Sequence, residues 1–200
     1  GSSASRMPSA PGLTAIQFDS FDDAIASDPV INDTGSLAMI VKLRGTGVTV
    51  DNDRAIYTGP TLNQLVGREG AAVPLASMAG VNFGIFNDGA AVSPAMNAGG
   101  SLLFKSSLSG AGVTTENDGA LFGWVANGGG LFIVAREGEQ IDVSNGSGPA
   151  DLRTIASLDA VFGSGGQDGR ARSLNDFGDV IFTAKFTDGT SGCLLYTSDA

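Results

Sequence analysis

"INDTGSLAMIVKL" (Ile31–Leu43), "MNAGGSLLFKSSL" (Met96–Leu108) and "LNDFGDVIFTAKF" (Leu174–Phe186) are three versions of one line. Their anchor asparagines, Asn32, Asn97 and Asn175, stand 65 and 78 residues apart. Each line opens on a turn. An Asn at the first position can bond its own backbone, and a Gly at the fourth (Gly35, Gly100, Gly178) accepts positive φ. Each then alternates as a strand. One face carries Leu37, Met39, Val41 and Leu43; then Leu102, Phe104 and Leu108; then Val180, Phe182, Ala184 and Phe186. The opposite face also starts apolar, at Ala38 and Ile40, at Leu103 and at Ile181. That pattern predicts cover on both sides of the strand.

The neighbouring stretches recur as well. "GTGVTVDNDRAIY" (Gly45–Tyr57) returns as "GAGVTTENDGALF" (Gly110–Phe122), and "VGREG" (Val66–Gly70) returns as "VAREG" (Val134–Gly138). A closing strand precedes each asparagine: "LTAIQFDSF" from Leu13, "VNFGIF" from Val81 and "LRTIASLDAVF" from Leu152. Four antiparallel strands in a unit of roughly 65 residues predict an all-β, propeller-like tandem array. One domain is expected over 13–192, with a partial unit at 13–28, units at 29–93 and 94–171, and a partial unit at 172–192. The stretch 1–12 is expected to be a flexible head or an appended scar. Such an array is open, so its last sheet is expected to expose Val180, Phe182 and Phe186 and to associate.

Composition narrows the function classes. The chain is 42% hydrophobic, enough for a real core, and its 30 glycines are scattered, as tight turns between short strands require. With 11 basic and 21 acidic residues the net charge is −10, which disfavours nucleic acid and anionic membrane surfaces as partners. No apolar run reaches membrane-spanning length. One cysteine, Cys193, allows no internal disulfide framework.

Asn-x-x-Gly followed two positions on by an apolar pair resembles the NxxGxxAF tandem-repeat family of bacterial surface proteins, of choice-of-anchor type. The "GxGVTxxND" loop and the "VAREG" strand end are similar to that family too, and the resemblance covers most of 13–192. Met39 stands where the family has an aromatic residue, and Leu103 and Ile181 stand where it has alanine. The third unit lacks the long loop and reads "FTDGTSG" (Phe186–Gly192). The resemblance implies an extracellular or cell-surface β-repeat module without enzymatic activity, its signal and anchor segments lying outside this stretch. Its expected partners are the remaining repeats of the full-length protein and a surface glycan or protein. The last eight residues, "CLLYTSDA" (Cys193–Ala200), resemble the translation of a sequencing adapter found in metagenomic reads, and are set outside the fold.

Catalytic chemistry finds few footholds. With no histidine, Ser-His-Asp and Cys-His catalysis and histidine-based zinc sites are excluded. "GSGGQD" (Gly163–Asp168) has neither the Lys-Ser/Thr of a P-loop nor a dinucleotide fingerprint, and reads as a glycine loop. The candidate metal ligands are Asp51, Asn52 and Asp53, with their counterparts Glu116, Asn117 and Asp118; such oxygen-rich loops can hold calcium. Ordinary Asx-turn chemistry is the preferred reading, so no cofactor is expected. Glu69 and Glu137 are expected to form exposed ion pairs with Arg68 and Arg136. "FTDGT" (Phe186–Thr190) hints at the Asp-box turn of sialidase-like propellers without its tryptophan, and Trp124 is expected to pack rather than to stack on a sugar. The alternative reading is a piece of a carbohydrate-active propeller enzyme whose catalytic residues lie outside this chain.

Overall fold

The computed structural model describes residues 9–19, 27–87, 93–126, 128–144, 148–162 and 173–197. In chain order the strands are β1 (Ile16–Phe18), β2 (Val30–Ile31), β3 (Leu37–Gly45), β4 (Arg54–Gly59), β5 (Gln64–Arg68), β6 (Val81–Phe86) and β7 (Ala95–Met96). There follow β8 (Leu102–Gly110), β9 (Gly119–Val125), β10 (Gly130–Arg136), β11 (Gln140–Asp142), β12 (Leu152–Asp159), β13 (Val180–Phe186) and β14 (Ser191–Tyr196). Among the described residues there is no α-helix, and Ala76–Met78 forms a 3-10 turn.

Three antiparallel sheets result. The first runs β1-β3-β4-β5 with β2 paired to β3, the second β6-β8-β9-β10 with β7 paired to β8, and the third β11-β12-β13-β14. Each takes an edge or second strand from the stretch preceding its asparagine (β1, β6 and β12), so the sheets straddle the sequence units. The molecule is an open, propeller-like array of antiparallel sheets, as the alternating patterns and turn spacing predict.

Three apolar clusters hold the sheets. The first joins Ala38, Ile40 and Ile56 of the first sheet to Phe83, Phe86, Phe104 and Phe122 of the second. Their rings meet at centroid distances from 5.4 Å (Phe83–Phe122) to 6.3 Å (Phe83–Phe104), the range in which aromatic pairs attract. The second joins Leu103 and Leu121, on the other face of the second sheet, to Ile155, Val180, Phe182 and Phe186 of the third. The third covers the outer face of the first sheet: Ala10, Leu13 and Leu62 pack over Met39, Val41 and Tyr57.

The structure corrects several expectations. Val180, Phe182 and Phe186 are buried against the second sheet, so they are not the exposed face of the array. Cover on both sides holds for β3 and β8 but fails for β13, whose outer residue Ile181 is 47% exposed. Part of the 1–12 stretch belongs to the fold: Ser9 bridges to Gln17, Ala10 is in the core, and the buried Tyr57 hydroxyl donates to Pro11 O at 2.8 Å. The tail also differs from expectation. Cys193–Tyr196 forms part of β14 in continuous register with β13, because Leu194 and Tyr196 alternate inward onto the second cluster. Residues 163–168 lie outside the described residues.

Candidate functional site

The asparagine turns have the geometry read from the sequence, repeated three times. Gly35, Gly100 and Gly178 donate to the carbonyls of Asn32, Asn97 and Asn175 at 3.0, 3.0 and 3.2 Å, at φ of 79, 83 and 92°. Each Oδ1 accepts the N–H four residues on, from Ser36, Ser101 and Asp179, at 2.9 Å. The side-chain amides then link the sheets. Asn32 Nδ2 donates to Ala98 O at 3.0 Å, and Asn97 Nδ2 donates to Asn175 O at 3.1 Å. Asn175 Nδ2 instead turns back to Asp179 Oδ2 at 2.8 Å. One short motif thus builds a turn and fastens it to the next turn.

The candidate calcium loops are closed by their own side chains. Asn52 Oδ1 accepts Thr49 N–H at 2.9 Å while its Nδ2 donates to Gly47 O at 3.2 Å, and Asn117 does the same with Thr114 and Gly112 at 2.8 and 3.1 Å. Asp51 and Glu116 are exposed, whereas Asp53 is buried and Asp118 half-buried. The Thr114 hydroxyl helps hold the Glu116 carboxyl below the usual carboxylate range. Among the described residues no group of three or more acidic, histidine or cysteine side chains is placed to share a metal.

The Arg-Glu pairs are a correction. Arg68 Nε donates to Asn52 O and Arg136 Nε to Asn117 O, both at 2.9 Å, so each arginine clamps the long loop of its own sheet. Glu69 and Glu137 are buried, 4% and 9% exposed. The Glu69 carboxylate accepts backbone N–H groups from Arg54 in its own sheet and from Phe86 in the next. Glu137 accepts those of Gly119 and Leu158 in the equivalent way. Phe86 and Leu158 lie at or just past register shifts in β6 and β12, where ladder pairing is disrupted. Gly119 leaves room for this carboxyl, since a Cβ there would stand 2.4 Å from the Glu137 carboxyl carbon and displace it. Glu69 Oε1 has no hydrogen-bond partner and lies 4.0 Å from Arg54 Nε. Burial pushes the Glu69 carboxyl up to about 7 against the opposing pull of Arg54, and burial raises Glu137 too. The sequence shows the Arg-Glu dipeptide, but only the bulge of the following sheet turns the glutamate inward.

"FTDGT" forms the β13–β14 turn. Asp188 Oδ1 accepts Thr190 N–H at 2.9 Å, and Arg153 reaches the same carboxylate at 3.6 Å and Asp151 at 2.7 Å.

A cleft of about 390 Å³ opens beside the asparagine turns, between the second and third sheets. Trp124, Phe132 and Tyr196 line it, together with Phe177, Asp176 and the buried Asn97. Phe132 lies over Gly123, where a Cβ would come within 2.0 Å of the ring, and stacks on Tyr196 at 5.8 Å. Trp124 is 7% exposed and belongs to the first core cluster, as expected, while Phe177 at the turn tip is 87% exposed. Sequence reasoning missed this cleft. Gly123 is its one local signal, since glycine inside a strand marks a close approach.

Successive antiparallel sheets, packed face to face and tied by asparagine turns and buried glutamates, define an all-β protein with an open, propeller-like architecture. The chain belongs to a family of unknown function (DUF7453), whose model matches residues 4–198. No curated protein and no solved structure matches it.

Proposed function

We propose that this protein is a non-enzymatic extracellular or cell-surface module of tandem β-repeats that binds a surface glycan in the cleft between its second and third sheets. The observation that carries the reading is Phe177, a large apolar ring held out in solvent at the mouth of an aromatic cleft. A sugar ring has an apolar face for such a ring and hydroxyls for neighbouring polar groups, here the half-buried Ser101 and Tyr196 that line the same cleft. The carboxylates that recur between sheets support a binding module over a glycosidase, because they are committed to backbone N–H groups and turns. The resemblance to bacterial surface repeats points to the same location.

Titration of purified bacterial surface polysaccharides against the protein tests this. Phe177→Ala is expected to weaken binding about 5- to 30-fold, the share of about 1–2 kcal/mol that one well-placed aromatic contact contributes, with the melting temperature unchanged. Equal binding by Phe177→Ala and the parent chain would refute the assignment of the cleft.

A further inference from the structure

We propose that the outer face of the third sheet is a docking surface for a further antiparallel sheet of the same kind, one whose near face is apolar and follows an Asn-x-x-Gly turn. Strand register supplies the first argument. Ala38 pairs with Thr58, Leu103 with Gly123 and Ile181 with Leu195; one rung along, Ile40 pairs with Ile56, Lys105 with Leu121 and Thr183 with Cys193. These residues form one face, seen three times. In the first two sheets the next sheet covers it: Ala38, Leu103, Ile56 and Leu121 are all 0% exposed. In the third, Ile181 is 47% and Leu195 68% exposed, and Cys193 is exposed.

The asparagine amides give a second, independent argument. Asn32 and Asn97 each reach a backbone carbonyl of the following turn, whereas Asn175 folds its amide back onto Asp179. A following turn would offer Asn175 the same acceptor. The nature of the occupant comes from the two junctions already formed. In each, a small or aliphatic outer face receives an inner face rich in phenylalanine: Phe104 and Phe122 in one, Phe182 and Phe186 in the other. Ile181 and Leu195 continue that interface. Head-to-tail stacking of a second copy does not supply such a partner, because Ala10, Leu13 and Leu62 already cover the outer face of the first sheet.

Cys193 provides the test, since it stands at the rung that Leu121 occupies in the second sheet. In the chain itself its thiol should react with Ellman's reagent at the rate of a free cysteine. Tyr196 is the register counterpart of Trp124, so a second copy of 126–197 joined after Thr197, carrying Cys193→Ser in the copy, continues the array in phase. Docking should slow the thiol at least about tenfold, and Ile181→Lys in the first copy should restore the rate. A folded extension that leaves Cys193 fully reactive would overturn the proposal. So would protection in the unextended chain that grows with protein concentration, which assigns the face to self-association. Independently of any extension, Ile181→Lys with Leu195→Glu, an opposite-charge pair across the β13–β14 ladder, should leave the melting temperature of the chain unmoved and reduce apolar-dye binding. A drop of several degrees would show that the face belongs to the chain's own core, and would sink the idea.

Discussion

An asparagine side chain carries two donors and one carbonyl acceptor, and Asn97 uses both kinds at once: Oδ1 closes its own turn and Nδ2 reaches the next sheet. At 3% exposure those bonds are made away from water, where leaving either group unpaired costs about 1–3 kcal/mol. Glu69 is the second residue of this kind, and it makes stability depend on pH. Its folded carboxyl titrates at about 7, above the ordinary glutamate range, chiefly through burial. The folded state therefore holds this proton more tightly than the unfolded chain, and stability must fall as pH rises from about 4.5 to about 7. The contribution is complete below about pH 4.5, falls steadily above it, and is lost once the pH passes about 7. Glu137, also raised, acts with the same sign. Denaturant melts are expected to show a lower midpoint at pH 8 than at pH 5, and Glu69→Gln should remove most of that slope by stabilising the protein at pH 8. An unchanged slope would show that Glu69 ionises without penalty.

At the scale of the element, the long loops and the last hairpin carry separate expectations. The Gly45–Asp53 and Gly110–Asp118 loops close on Asn52 and Asn117 and are clamped by Arg68 and Arg136. EDTA and millimolar calcium should therefore give the same melting temperature. A saturable rise with calcium that disappears in Asp53→Ala with Asp118→Ala would reverse this, since a ligand that binds only the native state must stabilise it. The last hairpin is different. Strand β14 pairs with β13 from Ser191 to Tyr196 and places Leu194 and Tyr196 on the second cluster. Deleting Cys193–Ala200 removes four of the six paired positions of that ladder, with both inward side chains, so a loss of several degrees is expected by calorimetry. An unchanged melting temperature would mean that the tail adds nothing to the sheet. The turn chemistry was legible at this scale because Asn, Gly and Asp act within a few residues of chain. The Arg68 clamp was not, because its acceptor lies 16 residues away on another loop.

For the whole molecule, the second sheet is the centre. It alone among the described sheets has large clusters shared with another sheet on both faces, Phe104 and Phe122 on one side and Leu103 and Leu121 on the other. Amide hydrogen exchange should be slowest in β8 and β9 and faster in β13 and β14, whose outer face is open. Uniform protection across the three sheets would contradict a graded array. The sequence by itself determined the asparagine turns, the alternating strands, the succession of antiparallel sheets and the packing of Trp124, because these rest on local backbone chemistry and a period of two. Tertiary structure alone decided which face of each strand is covered. Ala38, Leu103 and Ile181 share one place in the pattern, yet two are sealed and the third lies open, since burial depends on the next sheet and not on the strand. It likewise decided that Glu69 and Glu137 turn inward, where a bulge in the following sheet presents an N–H to each carboxylate. The aromatic cleft, too, exists only where residues from two sheets converge.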